Sequence, residues 1–162
     1  RTDSLTGAAN RRYFIELANA EINRVGRYKH PFTVIHIDLD NFKTMNDRFG
    51  HSVGDVLLRL VVSTIRNNIR ATDIVARLGG DEFVMLLPET GPEPAGVIAD
   101  KIRKISLDLM QKNQWPVTLS LGVVTFIQPP STVDEMLKIS DGVMYTAKKN
   151  GKNTVRYEQF SK

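Results

Sequence analysis

The chain has 162 residues, 41% hydrophobic and 25% charged, which fits one globular domain with a sizeable core. It has no cysteine, excluding disulfides, thiolate metal sites and cysteine nucleophiles, and no apolar run approaches the length of a membrane span. The net charge of +4 is spread without a long Lys/Arg block or an aromatic–basic stripe, so a phosphate-rich small substrate is favoured over nucleic acid or acidic lipid.

In chain order, Asn10 to Val25 carries Phe14, Leu17, Ala18, Ile22 and Val25 at helical spacing. Phe32 to Asp38 reads as a buried strand. Asp40 is expected to cap a short helix over Asn41 to Asp47, and Phe49-Gly50-His51 breaks it. Val53 to Ile69 is an amphipathic helix. Ile74-Val75-Ala76 and Phe83 to Leu87 flank Gly79-Gly80, the pattern of a β-hairpin with a tight turn. Ala95 to Met110 reads as a helix, Val117 to Phe126 as a strand, and Val133 to Lys149 as a helix closed by Asn150-Gly151. Thr154 to Tyr157 is a last edge strand. This order predicts an α/β (α+β) domain: a central mixed, largely antiparallel five-stranded sheet flanked by helices. No linker divides residues 1–162. The chain begins at Arg1 without an initiator Met and is expected to be excised from a longer protein whose membrane anchoring is left open.

The chemistry gathers on carboxylates. Asp38 closes a buried strand and Asp81 sits at the hairpin turn. An acid at a strand tip is either satisfied by loop amides or held by a cation. If the strand and hairpin are neighbours, Asp38 and Asp81 converge, and without Cys or a His cluster they suit a hard cation, Mg²⁺ or Mn²⁺. The helix that follows aims free N–H groups toward Asp38, an anion site fit for a triphosphate. Lys43 faces phosphate or solvent. Walker A and G-x-G-x-x-G patterns are both absent, so a nucleotide site here is of the carboxylate and two-metal kind. Asn46 and Asp55 flank Gly50. They are either turn and cap residues or a guanine reader, since one carboxylate accepts from the adjacent ring N–H and NH₂ of guanine. His30, His36 and His51 are too scattered for a metal triad, and His36 is expected inside the fold. Met85, Met110, Met136 and Met144 are expected to fill the core. Lys148, Lys149 and Lys152 cluster at the last helix end, favourable there on dipole grounds alone.

Six motifs in order carry a resemblance. Asp3-Ser4-Leu5-Thr6-Gly7 with Asn10-Arg11-Arg12-Tyr13-Phe14 resembles D-x-L-T-G-x-x-N-R-R-x-F. Asp38 to Asp47 resembles D-x-D-x-F-K-x-I-N-D. Gly50 to Asp55 resembles G-H-x-x-G-D. Gly79-Gly80-Asp81-Glu82-Phe83 is the GGDEF signature, Ser120-Leu121-Gly122 resembles S-I-G, and Tyr145 to Asn153 resembles Y-x-A-K-x-x-G-R-N. The chain therefore resembles the GGDEF domains, diguanylate cyclases in their active form, over nearly its whole length.

The resemblance implies a fold similar to nucleotidyl cyclases and the polymerase palm. It also implies condensation of two GTP into cyclic di-GMP with release of two pyrophosphates. Asp38, the Leu39 carbonyl and Asp81 would hold two Mg²⁺ or Mn²⁺ ions. Asn46 and Asp55 would read guanine beside His51. Asn41, Phe42, Lys43, Lys148 and Lys152 would contact phosphates. Lys43 would also serve the transition state, and Asp81 or Glu82 would take the 3′-hydroxyl proton. Arg70-Ala71-Thr72-Asp73 resembles the R-x-x-D site at which product inhibits, where Lys101 or Arg103 of a second copy would help. Catalysis implies a homodimer, a cytoplasmic setting and an upstream sensor or dimerising domain. The alternative is a non-catalytic module that binds GTP or cyclic di-GMP. Two departures stand out: Lys152 replaces the usual Arg and loses its planar fork, and Ser140 and Gly142 stand where Ala and a charged residue are usual.

Overall fold

The computed structural model describes residues 1–161. Ten elements follow one another: α1 (Arg11–Tyr28), β1 (Phe32–Asp40), α2 (Phe42–Phe49), α3 (His51–Arg66), β2 (Ile74–Gly79), β3 (Glu82–Leu87), α4 (Pro92–Lys112), β4 (Thr118–Phe126), α5 (Val133–Lys149) and β5 (Thr154–Phe160). The strands form one five-stranded sheet in the order β2-β3-β1-β4-β5. All neighbours are antiparallel except β4 and β5, which are parallel.

The central strand β1 is covered on both faces, which explains its nearly unbroken β-branched and apolar run. Strand alternation divides its residues. Ile35, Ile37 and Leu39 join Phe83, Met85, Leu119 and Leu121 under α3 and α4. Phe32 and Val34 join Val84, Leu86 and Phe126 under α1 and α5. The parity that puts Val34 on the α5 side also puts His36, Asp38 and Asp40 there. All four singled-out methionines are buried core residues, as expected.

Local chemistry explains several boundaries. Asn10 caps α1 by accepting from the Tyr13 N–H, and Thr132 caps α5 by accepting from the Glu135 N–H. Gly122 on β4 permits the closest helix–sheet approach: a Cβ there would overlap the Met144 backbone nitrogen and the Ser140 carbonyl of α5. The opening D-x-L-T-G run is tied to the sheet edge. Thr6 donates through its N–H and hydroxyl to Asp3, Arg77 reaches Asp3, and the Ala9 N–H donates to the Val75 carbonyl. Among the described residues no helix is long and apolar enough to cross a membrane.

At the end of β1 two expectations change, while α3 (His51–Arg66), α4 (from Pro92) and β5 (to Phe160) shift their bounds by a few residues. The first strand runs two residues further, to Asp40, because Leu39 and Asp40 continue the register with Leu119 and Thr118. Asp40 therefore does not cap α2. That position belongs to Asn41, in the left-handed region at φ 65°, without a side-chain capping bond.

Candidate functional site

The sheet ends that meet at the top of β1 build the site. Asp38 faces Glu82 across the β1–β3 ladder. The hairpin turns through Gly80, at φ +49°, a conformation glycine adopts at little steric expense. The Leu39 N–H donates to the Asp81 carbonyl at 3.3 Å, fixing the turn against β1. Asp38 and Asp81 thus converge, as their strands required.

Both carboxyls hold their protons more tightly than usual. Burial pushes Asp38 up to about 6, with repulsion from Asp81 adding to it and the Lys148 ammonium opposing it. Burial likewise raises Asp81. Two neighbouring half-buried acids whose ionisation is opposed chiefly by burial form a cation deficit. Two carboxylates and a nearby main-chain carbonyl are all oxygen donors, the set a hard divalent cation takes. Asp38, Leu39 and Asp81 therefore fit Mg²⁺ or Mn²⁺.

Asp40 is the residue that sequence reasoning undervalued. It is fully buried and accepts from the Thr118 hydroxyl at 2.8 Å, the Ser120 hydroxyl at 2.8 Å and the Asn153 N–H at 3.0 Å. Lys148 lies 3.4 Å from it and 3.2 Å from Asp38. Burial works against the Lys148 charge, but the two carboxylates outweigh it and raise its pKa. The period-two spacing of Asp38 and Asp40 was the available signal: both had to share a face. Helix α5 delivers Lys148 to that face because Gly122 lets it come close.

Glu82 is set apart from Asp81. Its hydrogen bond to His36, at 2.5 Å, keeps it below the usual carboxylate range against the effect of burial. His36 is inside the fold, as expected.

The phosphate-side candidates split. The Phe42 side chain packs into the core, so only its backbone at the start of α2 is available. Lys43 is exposed. The Lys152 ammonium donates to the Asn41 side chain at 3.3 Å, bringing these two together. Lys149 instead lies over the Tyr145 ring, consistent with a surface role.

Around Gly50, at φ +95°, α2 turns directly into α3 and sets Asn46 beside His51, with Asn46 Nδ2 and His51 Nδ1 2.8 Å apart. Asn46 Oδ1 is buried with no partner in the protein. Such an orphaned acceptor is costly unless a ligand N–H meets it, which suits the guanine reading. Gly54 leaves the room this side chain takes: a Cβ there would overlap Asn46 Oδ1, which would have to move aside. Asp55 is half-buried on the first turns of α3.

Arg70 and Asp73 form an ion pair away from the Asp38–Asp81 carboxylates. The guanidinium donates to the buried Asp73 carboxylate, to the Pro88 carbonyl and to the Thr90 hydroxyl. Arg70 also borders an open groove of about 460 Å³ with Glu21, Arg24, Thr72 and Glu89. It lies beyond the far end of β3 from Glu82, on the order of 20 Å away at ~3.3 Å per strand residue. Arg103 on α4 donates to Asn153 at 3.1 Å, within its own chain.

Known proteins share this fold. MucR of Pseudomonas aeruginosa, named a bifunctional diguanylate cyclase/cyclic di-GMP phosphodiesterase, is 37% identical over 153 residues, covering 93% of this chain and 22% of MucR. The structure of the diguanylate cyclase SiaD from P. aeruginosa, solved with its activator SiaC, superposes with a TM-score of 0.87 at 28% identity, over 97% of this chain and 61% of that one. The GGDEF domain of DgcB from Caulobacter crescentus, solved with c-di-GMP, superposes with a TM-score of 0.84 at 27% identity, over 96% and 92%. The chain spans less than half the length of curated relatives it matches. Residues 1–154 match the family described as "Diguanylate cyclase, GGDEF domain", and the chain belongs to that family.

Proposed function

We propose that this domain condenses two GTP into cyclic di-GMP, and that Asp38 and Asp81, two half-buried and proton-retaining carboxylates at one sheet end, carry the reading. Asp38, the Leu39 carbonyl and Asp81 would hold two Mg²⁺ or Mn²⁺ ions, which supply a lowered 3′-hydroxyl pKa and charge compensation at the α-phosphate. The orphaned Asn46 oxygen and the Asp55 carboxylate accept from guanine N–H groups. Adenine offers an acceptor at the ring position and is rejected. Main-chain N–H groups at Asn41, Phe42 and Lys43 receive phosphate oxygens, with Lys148 and Lys152 supplying charge. Lys43 offsets charge that grows in the transition state.

Asp81 is the better proton acceptor of the two adjacent acids. Its pKa is raised toward the working range, whereas Glu82 is held low by His36. One domain offers one guanine reader and one nucleotide site, so forming two phosphodiester bonds calls for two copies related by a twofold axis. An upstream sensor or dimerising domain in the parent, a cytoplasmic location with its GTP, and inhibition by product at Arg70 and Asp73 complete the proposal.

The test is product analysis. The domain at high concentration is incubated with GTP and Mg²⁺ beside an Asp81→Ala variant, and the nucleotides are separated. Cyclic di-GMP from the unsubstituted domain alone supports the cyclase. No product even after fusion to a dimerising segment, with GTP or cyclic di-GMP still bound, would make it a binding module.

A further inference from the structure

His36, Glu82 and Asp141 come together on the α5 side of the sheet, next to the Asp38–Asp81 pair but on different atoms. His36 is 1% exposed and stands opposite Gly122 in the β1–β4 ladder. The close approach that Gly122 allows brings Ser140 and Asp141 of α5 over the imidazole. Ser140 donates its hydroxyl hydrogen to the Leu137 carbonyl at 3.1 Å. Its oxygen lies 3.0 Å from His36 Nδ1 and can accept from an Nδ1–H in that tautomer of the ring. Nε2 then faces two carboxylates, Glu82 Oε1 at 2.5 Å and Asp141 Oδ1 at 3.7 Å. One nitrogen and two carboxylate oxygens, one from each residue, all lie within 4.8 Å of one another.

Three potential metal donors, one of them on a buried ring, therefore meet in one small space. We propose that the same three groups bind one divalent transition-metal ion of the Zn²⁺ class, His36 coordinating through Nε2 as the neutral Nδ1–H tautomer. The donor set of one imidazole and two carboxylates fits Zn²⁺, with a position left for water. A nitrogen donor also discriminates against Mg²⁺, which prefers oxygen and keeps its waters. The Nδ1–H bond to Ser140 supplies the outer support that metal-binding histidines ordinarily have, fixing tautomer and ring orientation. Access exists through an open cleft of about 250 Å³ bordered by Arg11, Asp134 and Lys138. The two cationic side chains at its rim slow entry and Asp134 offsets them in part. Provided the cyclase reading holds, the bound ion locks the Glu82 carboxylate onto His36, one residue from Asp81, and inhibits cyclic di-GMP formation.

Zinc binding is measured by competition with a chromophoric zinc chelator, in millimolar Mg²⁺ so that the oxygen site is saturated. The domain is compared with Asp141→Asn, Ser140→Ala and Asp38→Asn. Asp141 is 56% exposed at its side chain, so its substitution leaves the core intact. One Zn²⁺ is expected per domain. Ser140→Ala should weaken it roughly 10- to 100-fold and Asp141→Asn about as much, with Asp38→Asn unchanged. Failure of the domain to compete, or affinity lost in Asp38→Asn and kept in Asp141→Asn, overturns the site. Competition needs no turnover, so this result is independent of the cyclase reading. In an active domain, zinc should slow product formation, measured against each variant's own zinc-free rate, and Asp141→Asn should need about tenfold more zinc. Zinc bound at the site without slowing an active domain overturns the inhibitory role.

Discussion

The ammonium of Lys148 stands 3.2 Å from the carboxylate of Asp38. It also neutralises Asp40, so one side chain of α5 satisfies two acids of β1. A cation that enters beside Asp38 must compete with it. Replacing Lys148 by Met therefore has effects of opposite sign. Mg²⁺ binds the nucleotide-free domain several-fold more tightly, while kcat/KM for GTP falls about 10²-fold through the lost phosphate contact. Calorimetric Mg²⁺ titration and steady-state kinetics on the same variant check both signs.

Asp38 gives a pH signature. The native carboxyl keeps its proton to about 6, whereas its ordinary value is 3.8. Between these values the native state binds more protons than the unfolded state, so this group's contribution to stability falls as pH rises. A shift of roughly two units corresponds to at most ~3 kcal/mol. Asp38→Asn cannot ionise. Its stability relative to the unsubstituted domain should therefore grow from pH 4 to pH 7 and then level off, in urea denaturation with EDTA. A difference that stays flat over this range contradicts the assignment.

Asp40 serves folding before chemistry. Asp40→Ala strands two hydroxyls and one backbone N–H around a buried gap and leaves Lys148 only one of its two acids. Losing one partner of a buried charged network costs about 3–5 kcal/mol. Chemical denaturation should show this loss without any nucleotide present.

Gly54 separates packing from binding. Gly54→Ala forces the Asn46 side chain aside. The strain costs about 1–3 kcal/mol of stability. Because Asn46 would lose its position at the base, KM for GTP should rise more than kcat falls, which initial-rate kinetics resolves.

Arg70 tests the distant groove. Arg70→Ala removes a guanidinium that is half exposed and held by Asp73 and Thr90. A charge-assisted contact of about 1.5–3 kcal/mol predicts a roughly 10- to 100-fold increase in the cyclic di-GMP needed to halve the rate. The rate without added product should change little.

The elements and their order were legible because their signals are local. The helices carry apolar residues at helical spacing, β1 is a β-branched run, and Gly79-Gly80 marks a turn. The motifs also placed Asp38, Asp81, Asn46 and Asp55 by type and spacing. Tertiary structure decided what those residues meet. Asp40 read as a helix cap because an Asp before a helix most often is one. Only the β1–β4 register, which sets Thr118 and Ser120 beside it, makes it a buried anchor. Nothing local to Gly122 announces that α5 will cross it closely enough to carry Ser140 to His36 and Lys148 to Asp38. A chain encodes its periodicities within a few residues, but a shared cation or an orphaned amide oxygen arises between segments up to about a hundred residues apart, once packing has removed the water that would have satisfied each group alone.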